Sequence, residues 1–287
     1  MNYALPVMLK HIQLSLAIIL TFASFAPVQA QSTKPLNLNA SRQSKKQLTF
    51  NTPPPPPNIG APSQRKAGGN RGCSDVSLQN TQSSDKVLTA LAPEYSKEQL
   101  VLGLTTQKRP TLWFYVPYKS DSVYAKLVIE DEKSQTIYKT PLMGTPGVVS
   151  VSLPPTSYEI KIGKLYHWYF NIYCKQDNEF ITSVEGKVQL LTLNPTIKTQ
   201  LDKATPRQQV ELYAANGIWY EALTTLANLR RSSPQDANLA SDWASLLGSV
   251  GLQNLAAEPI VDCCKPQAPT ANFPKEYKEP KILDVGI

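Results

Sequence analysis

The chain has 287 residues, 41% of them hydrophobic, with 24 prolines, 4 cysteines, and 29 Lys and Arg against 22 Asp and Glu. The formal charge of +7 is not spread evenly: residues 1–72 hold eight basic residues and no acid, which leaves 21 basic against 22 acidic residues in 73–287, a net −1. That balance excludes a basic nucleic-acid-binding face on the globular part, because such a footprint has to lie on the fold itself.

The N-terminus reads as a cleavable export signal over residues 1–30. Lys10 and His11 precede a polar-poor run over 12–26, and Val28-Gln29-Ala30 is a small-residue cleavage site. The run is about fifteen residues, short of the roughly twenty a membrane-spanning helix needs, and no later segment comes closer. No cysteine follows it directly, so no lipid anchor is expected. The mature chain is expected to begin near Gln31, to carry no transmembrane segment, and to work in the periplasm or outside the cell.

Residues 31–72 read as a disordered, basic, Pro-rich linker. Little in them repays ordering entropy, and the prolines at 53–57 make a stiff polyproline II spacer. A second reading is a tether whose seven mature cations touch anionic envelope polymer or lipid headgroups. Cys73, Cys174, Cys263 and Cys264 all survive signal cleavage, and export permits disulfides. Four cysteines allow three complete pairings. The favoured one joins Cys73, which opens the globular part, to Cys174, at the end of its most aromatic strand. Adjacent cysteines close on each other only by distorting the peptide between them, so Cys263 and Cys264 are expected to be free, intermolecular or paired elsewhere.

Residues 73–195 have the punctuation of an all-β domain. Runs rich in β-branched and aromatic residues at 112–116, 123–130, 136–142, 148–153, 166–173 and 181–193 are separated by Pro, Gly, Asp and Ser. In the fifth run Tyr166, Trp168, Phe170, Ile172 and Cys174 share one face, and His167, Tyr169, Asn171 and Tyr173 the other. Strand number and spacing predict an immunoglobulin-like two-sheet sandwich, with a small barrel as the alternative.

Residues 196–258 predict a helical module, so the fold class is α+β. Thr205-Pro206-Arg207-Gln208 has capping-box form and opens a helix that Gly217 ends. Trp219, Ala222, Leu223 and Leu226 stripe a second helix. Ser233-Pro234-Gln235-Asp236 starts a third, with Leu239, Trp243, Leu246, Leu247 and Val250 as its stripe and Gly251 as its stop. Residues 213–234 resemble a tetratricopeptide repeat, giving a small tetratricopeptide-like three-helix module. One repeat and a following helix are too little for a free-standing solenoid. The module therefore either packs on the β domain or forms a peptide-binding groove. Residues 259–287 read as a Pro-rich, poorly ordered C-terminal tail.

Gly72-Cys73, residues 110–118 (PTLWFYVPY), residues 163–174 (GKLYHWYFNIYC), residues 217–234 (GIWYEALTTLANLRRSSP) and residues 242–252 (DWASLLGSVGL) occur in that order. In this combination the chain resembles a cyanobacterial family of exported proteins known only as a domain of unknown function, number nine-two-eight. The resemblance covers roughly residues 70–258. It implies export and a β part followed by helices, and it implies nothing about catalysis.

The residues give little to build chemistry on. The mature chain holds one histidine, His167, on a strand among aromatics, where a hydrogen-bonded structural role is the expected one. Zinc sites draw on several His or Cys ligands, and neither Cys-x-x-Cys nor His-x-x-x-His occurs. No Gly-rich phosphate loop is present, so nucleotide use is unsupported. Glu130-Asp131-Glu132 suggests calcium or a carboxylate pair, but consecutive strand residues point to opposite faces, so a charged turn is expected. No catalytic, cofactor or metal residue is assigned. Trp113, Tyr115, Tyr169 and Tyr173 are the candidate interaction surface, for stacking sugars. The resulting function is a non-catalytic envelope or secreted module that binds protein or polysaccharide. The alternative is a hydrolase of envelope polymer that uses unidentified carboxylates.

Overall fold

The computed structural model describes residues 47–57, 60–68, 73, 86–131, 135–153, 155 and 159–264, all within the compact unit Lys46–Ile287. The expected export signal and residues 31–46, 69–72 and 265–287 lie outside the described residues. Among those described are nine strands: β1 (Thr89–Ala90), β2 (Glu94–Tyr95), β3 (Leu100–Thr105), β4 (Thr111–Val116), β5 (Val123–Glu130), β6 (Gln135–Pro141), β7 (Gly147–Ser152), β8 (Leu165–Cys174) and β9 (Phe180–Leu190). Four helices follow: α1 (Pro195–Lys203), α2 (Pro206–Ala215), α3 (Trp219–Ser232) and α4 (Ala237–Gly248). The class is α+β.

The strands form two sheets, a small one in the order β1-β4-β7 and a large one in the order β2-β3-β9-β8-β5-β6, antiparallel except for the β3/β9 pair. Period-two alternation decides what faces inward. In β8 the residues Tyr166, Trp168, Phe170, Ile172 and Cys174 are buried while their neighbours are half-buried. Phe114 of β4 stacks on Phe170 at 3.9 Å between centroids and makes a T-shaped contact with Trp168 at 5.6 Å, so the two sheets face each other across these rings. Gly186 of β9 leaves room for Trp168, since a Cβ there would lie 2.3 Å from the indole.

The other face of β4 is covered by helices. Trp113 donates its indole N–H to Thr224 Oγ1 of α3 (2.9 Å) and meets Trp243 of α4 in a T-shaped contact at 6.5 Å. Trp219, at the start of α3, donates to the Leu91 carbonyl (2.7 Å). Next to the small sheet, α3 also reaches β3, where a Cβ on Gly103 would sit 2.4 Å from the Tyr220 ring. Sheets and helices thus share one apolar core, and each fully buried large side chain in it is worth about 1.5–3 kcal/mol.

Local chemistry sets the helix ends. Thr205 and Gln208 form the reciprocal capping box, Gly217 (φ 73°) turns the chain between α2 and α3, and Asp236 caps α4 by accepting from the N–H groups of Asn238 and Leu239. The helical part has one helix more than the three expected from sequence. In α1, Asn194 accepts from the Thr196 N–H (2.8 Å) ahead of Pro195, the same cap-then-proline arrangement as in α2.

Both flanks of the globular part differ from their expected disorder. Residues 47–57 and 60–68 lie against the body, with Leu48 and Phe50 buried and the Phe50 ring in T-shaped contact with Trp219 at 4.9 Å. Asn51 donates its backbone N–H to the Ala214 carbonyl (3.0 Å), and Tyr95 donates its hydroxyl to the Pro53 carbonyl (2.7 Å). Arg65, counted above among the tether cations, is 8% exposed. It pairs with Glu94 (2.9 Å) and donates to the Val250 carbonyl (2.7 Å). Two apolar anchors and one buried cation therefore order a stretch whose composition alone reads as a linker.

At the other end, residues 259–261 pair with β7. Val148 donates to the Pro259 carbonyl (2.8 Å), and the Val261 N–H donates back to the Val148 carbonyl (2.9 Å).

The expected disulfide joins Cys73 to Cys174 across a sequence separation of 101, a loop for which the chain-entropy model gives about 4.7 kcal/mol. The expectation for the other two cysteines is corrected, because Cys263 and Cys264 are bonded to each other. Cys264 adopts a left-handed backbone (φ 62°) that brings the neighbouring side chains to one side of the chain, and both are buried, so neither sulfur is offered to another molecule.

Candidate functional site

Trp113 and Tyr115 do not belong to an exposed surface. They are 1% and 5% exposed, under α3 and α4, because the helices cover the face of β4 to which both point. The Tyr115 phenol is pushed up to about 12, first by burial and then by Glu258. Tyr169 and Tyr173 lie on the opposite side of the molecule, on the outer face of the large sheet, and are half-buried.

Strand register builds the rest of that face. Tyr173 stands opposite Tyr124 of β5 and Phe180 of β9, Tyr169 opposite Val128 and Glu185, and His167 opposite Glu130 and Lys187. The Tyr124 and Tyr173 rings stack at 5.4 Å, and Phe180, 46% exposed, closes on Tyr173 at 5.8 Å. Lys126 Nζ lies 4.3 Å from the Tyr173 centroid, and Lys139 Nζ lies 4.2 Å from that of Tyr124. Such cation–π contacts contribute about 0.5–1 kcal/mol each at exposed sites, so they hold the ring planes in place. Tyr124 donates to Asn178 Oδ1 (3.1 Å) in the turn before β9. The result is two accessible rings, Tyr173 and Phe180, backed by the Tyr124 ring, which is only 6% exposed, and flanked by two cations.

A second group continues the face. His167 Nε2 lies 2.8 Å from Glu185 Oε2, and its Nδ1 lies 3.0 Å from the Tyr169 hydroxyl. Burial holds the His167 imidazole below its ordinary value, against the pull of Glu185. The Tyr169 phenol is raised to about 12 by burial and by its hydrogen bond to Glu130. These groups are each other's partners, which suits holding a surface rigid.

The acidic run at 130–132 is divided: Glu130 serves Tyr169, Asp131 lies 3.9 Å from Lys164, and Glu132 lies outside the described residues. Among the described residues no three His, Cys, Asp or Glu form a group that could hold a metal ion. No described helix is long and apolar enough to cross a membrane.

Sequence reasoning missed Tyr124 and Phe180. The available signal was register: once Tyr173 is placed outward, the residues opposite it on β5 and β9 must join it.

The family described as Domain of Unknown Function (DUF928) matches residues 66–260, which span every strand and helix described above. The chain belongs to that family. No curated protein matches it in sequence. The DUF928 match begins at Lys66, which pairs with β1, and ends at Ile260, which pairs with β7. The two bridging residues are thus the ends of the match, while the docked residues 47–65 and the vicinal disulfide lie beyond it.

Proposed function

We propose that this DUF928 protein is an exported, non-catalytic interaction module that binds an envelope polysaccharide on the outer face of its large sheet. The observation that carries the reading is the pair of accessible rings Tyr173 and Phe180, backed by buried Tyr124 and held by Lys126 and Lys139. Sugar rings present C–H faces that pack on aromatic rings and hydroxyls that hydrogen-bond to flanking polar groups, and this row supplies both kinds of contact. Export is supported by the signal-like first thirty residues and by the Cys73–Cys174 disulfide, which persists in oxidising compartments. In the finer reading of the fold, the two sheets are an immunoglobulin-like sandwich. The α2–α3 pair is a tetratricopeptide-like hairpin acting as a strut on it.

Affinity electrophoresis of the mature protein through gels containing envelope polysaccharide tests this reading. Wild type is expected to be retarded, and a Tyr173→Ala, Phe180→Ala double variant that still unfolds cooperatively is expected to run freely. Equal retardation of the two proteins overturns it.

A further inference from the structure

On the other side of the molecule from the aromatic row, a cavity of about 530 Å³ opens between the end of α3 and the C-terminal segment. Arg230, Arg231, Pro234, Ile260 and Asp262 line it. Its size is that of a small-molecule site. The two arginines are fixed by what they stack on: the Arg230 guanidinium lies 5.4 Å from the Trp243 ring centroid, and that of Arg231 lies 5.1 Å from Trp113. Arg231 is a structural clamp, donating through Nη2 to the Val261 carbonyl (3.1 Å) and to Ser150 Oγ (3.4 Å). Arg230 differs. Its Nη1 is buried without an acceptor behind the cavity wall, and burial lowers its pKa with no acidic group opposing the shift, whereas Asp262 opposes it for Arg231, so the cavity meets a guanidinium without a counter-ion.

A partly desolvated guanidinium without a counter-ion costs free energy that an oxyanion against its cavity-facing side would recover through a charge-assisted contact. Asp262 narrows the class of ligand. Among the described residues, two cations and one anion leave the lining a net charge of +1, suited to a monoanion. A carboxylate on the wall also accepts hydrogen bonds that a phosphate dianion cannot donate but hydroxyl groups can. Ile260 and Pro234 add apolar wall for C–H faces.

We propose that this cavity binds a hydroxylated monocarboxylate of sugar-acid type, its carboxylate on Arg230 and its hydroxyls on Asp262. The site lies at the C-terminal end of α3, apart from the outer sheet face, and does not depend on the polysaccharide reading of that face.

Trp243 and Trp113 lie beneath the two arginines, so intrinsic fluorescence reports occupancy. Titration of the full-length mature protein with sodium glucuronate is expected to saturate. Glucose and inorganic phosphate are expected to bind at least roughly tenfold more weakly, the scale of one charge-assisted hydrogen bond. Arg230→Gln should weaken glucuronate roughly tenfold at unchanged melting temperature. If that variant fails to fold, Arg230→Lys, which keeps the charge but loses the fork, should give a partial loss. Asp262→Asn should weaken glucuronate and strengthen phosphate. Absence of saturation by about 10 mM glucuronate, an affinity weaker than about 3 kcal/mol, overturns the proposal. Equal response to glucuronate and phosphate in wild type and Asp262→Asn overturns it as well.

Discussion

The face of β4 that carries Trp113 and Tyr115 and the face of β8 that carries Tyr169 and Tyr173 look alike as strands, with large aromatic rings at alternating positions, two residues apart in the first and four in the second. The first lies under a layer of helices, is almost fully buried and donates its indole N–H to α3. The second has nothing of α1–α4 over it, and its rings are held by lysines, a histidine and one another. Alternation tells which side chains share a face, and it is silent on what lies across from that face. The same residue type is therefore structural in the small sheet and available for contact in the large one.

Substitution separates the two faces most sharply. Trp113→Ala should destabilise the protein by about 3–5 kcal/mol, while Tyr173→Ala, half-buried, should cost about 1 kcal/mol or less. Chemical denaturation of the two variants measures both, and equal losses would erase the distinction.

The contact between α3 and β3 gives the next effect. Gly103→Ala puts a methyl group against the Tyr220 ring and should cost about 1–3 kcal/mol by overpacking, visible as a lowered melting temperature. A neutral result would mean that the helix sits loosely on the sheet.

The smallest effect comes from Glu221 of α3, in the same buried seam. Its Oε1 accepts from the Thr105 hydroxyl (2.6 Å) and the Thr106 N–H (3.0 Å), while Oε2 is buried without a partner, and burial raises the carboxyl pKa. The folded state therefore binds this proton more tightly than the unfolded chain does. Stability from it is fully present below the unfolded value, near 4.5, and is lost as pH rises through the folded one. Wild type should lose melting temperature relative to Glu221→Gln as pH rises above about 4.5. Parallel pH profiles would exclude Glu221 as the titrating group.

Six of the nine strands were legible because each alternates or is rich in β-branched residues between turn formers. β3 was missed because Leu100, Leu102 and Leu104 are buried on one side while Val101 and Thr105 are buried on the other, which leaves no period to read. α1 was missed although Asn194-Pro195 carries the same cap chemistry that identified α2. Composition hid the docking of residues 47–68, since two apolar side chains and one buried arginine decide it and prolines dominate the count. Of the candidate surface, the outward placement of Tyr169 and Tyr173 followed from the β8 alternation. Trp113 and Tyr115 were misplaced because the helix that covers them lies about a hundred residues away in sequence. Arg230 and Arg231 looked like an ordinary basic helix end, and only folding sets them over tryptophans beside Asp262.

The pairing of Lys66 with β1 and of Ile260 with β7 has a consequence for how the protein stays apart from its own copies. A three-stranded sheet offers two open rows of N–H and carbonyl groups, and such edges template intermolecular β-pairing. Here each row is capped in part by chain from an opposite end of the domain: residues 65–67 on one side, held by Arg65, and residues 259–261 on the other, held by Arg231. The two short flanks act as guards against aggregation, and trimming to the strands and helices alone would strip both at once.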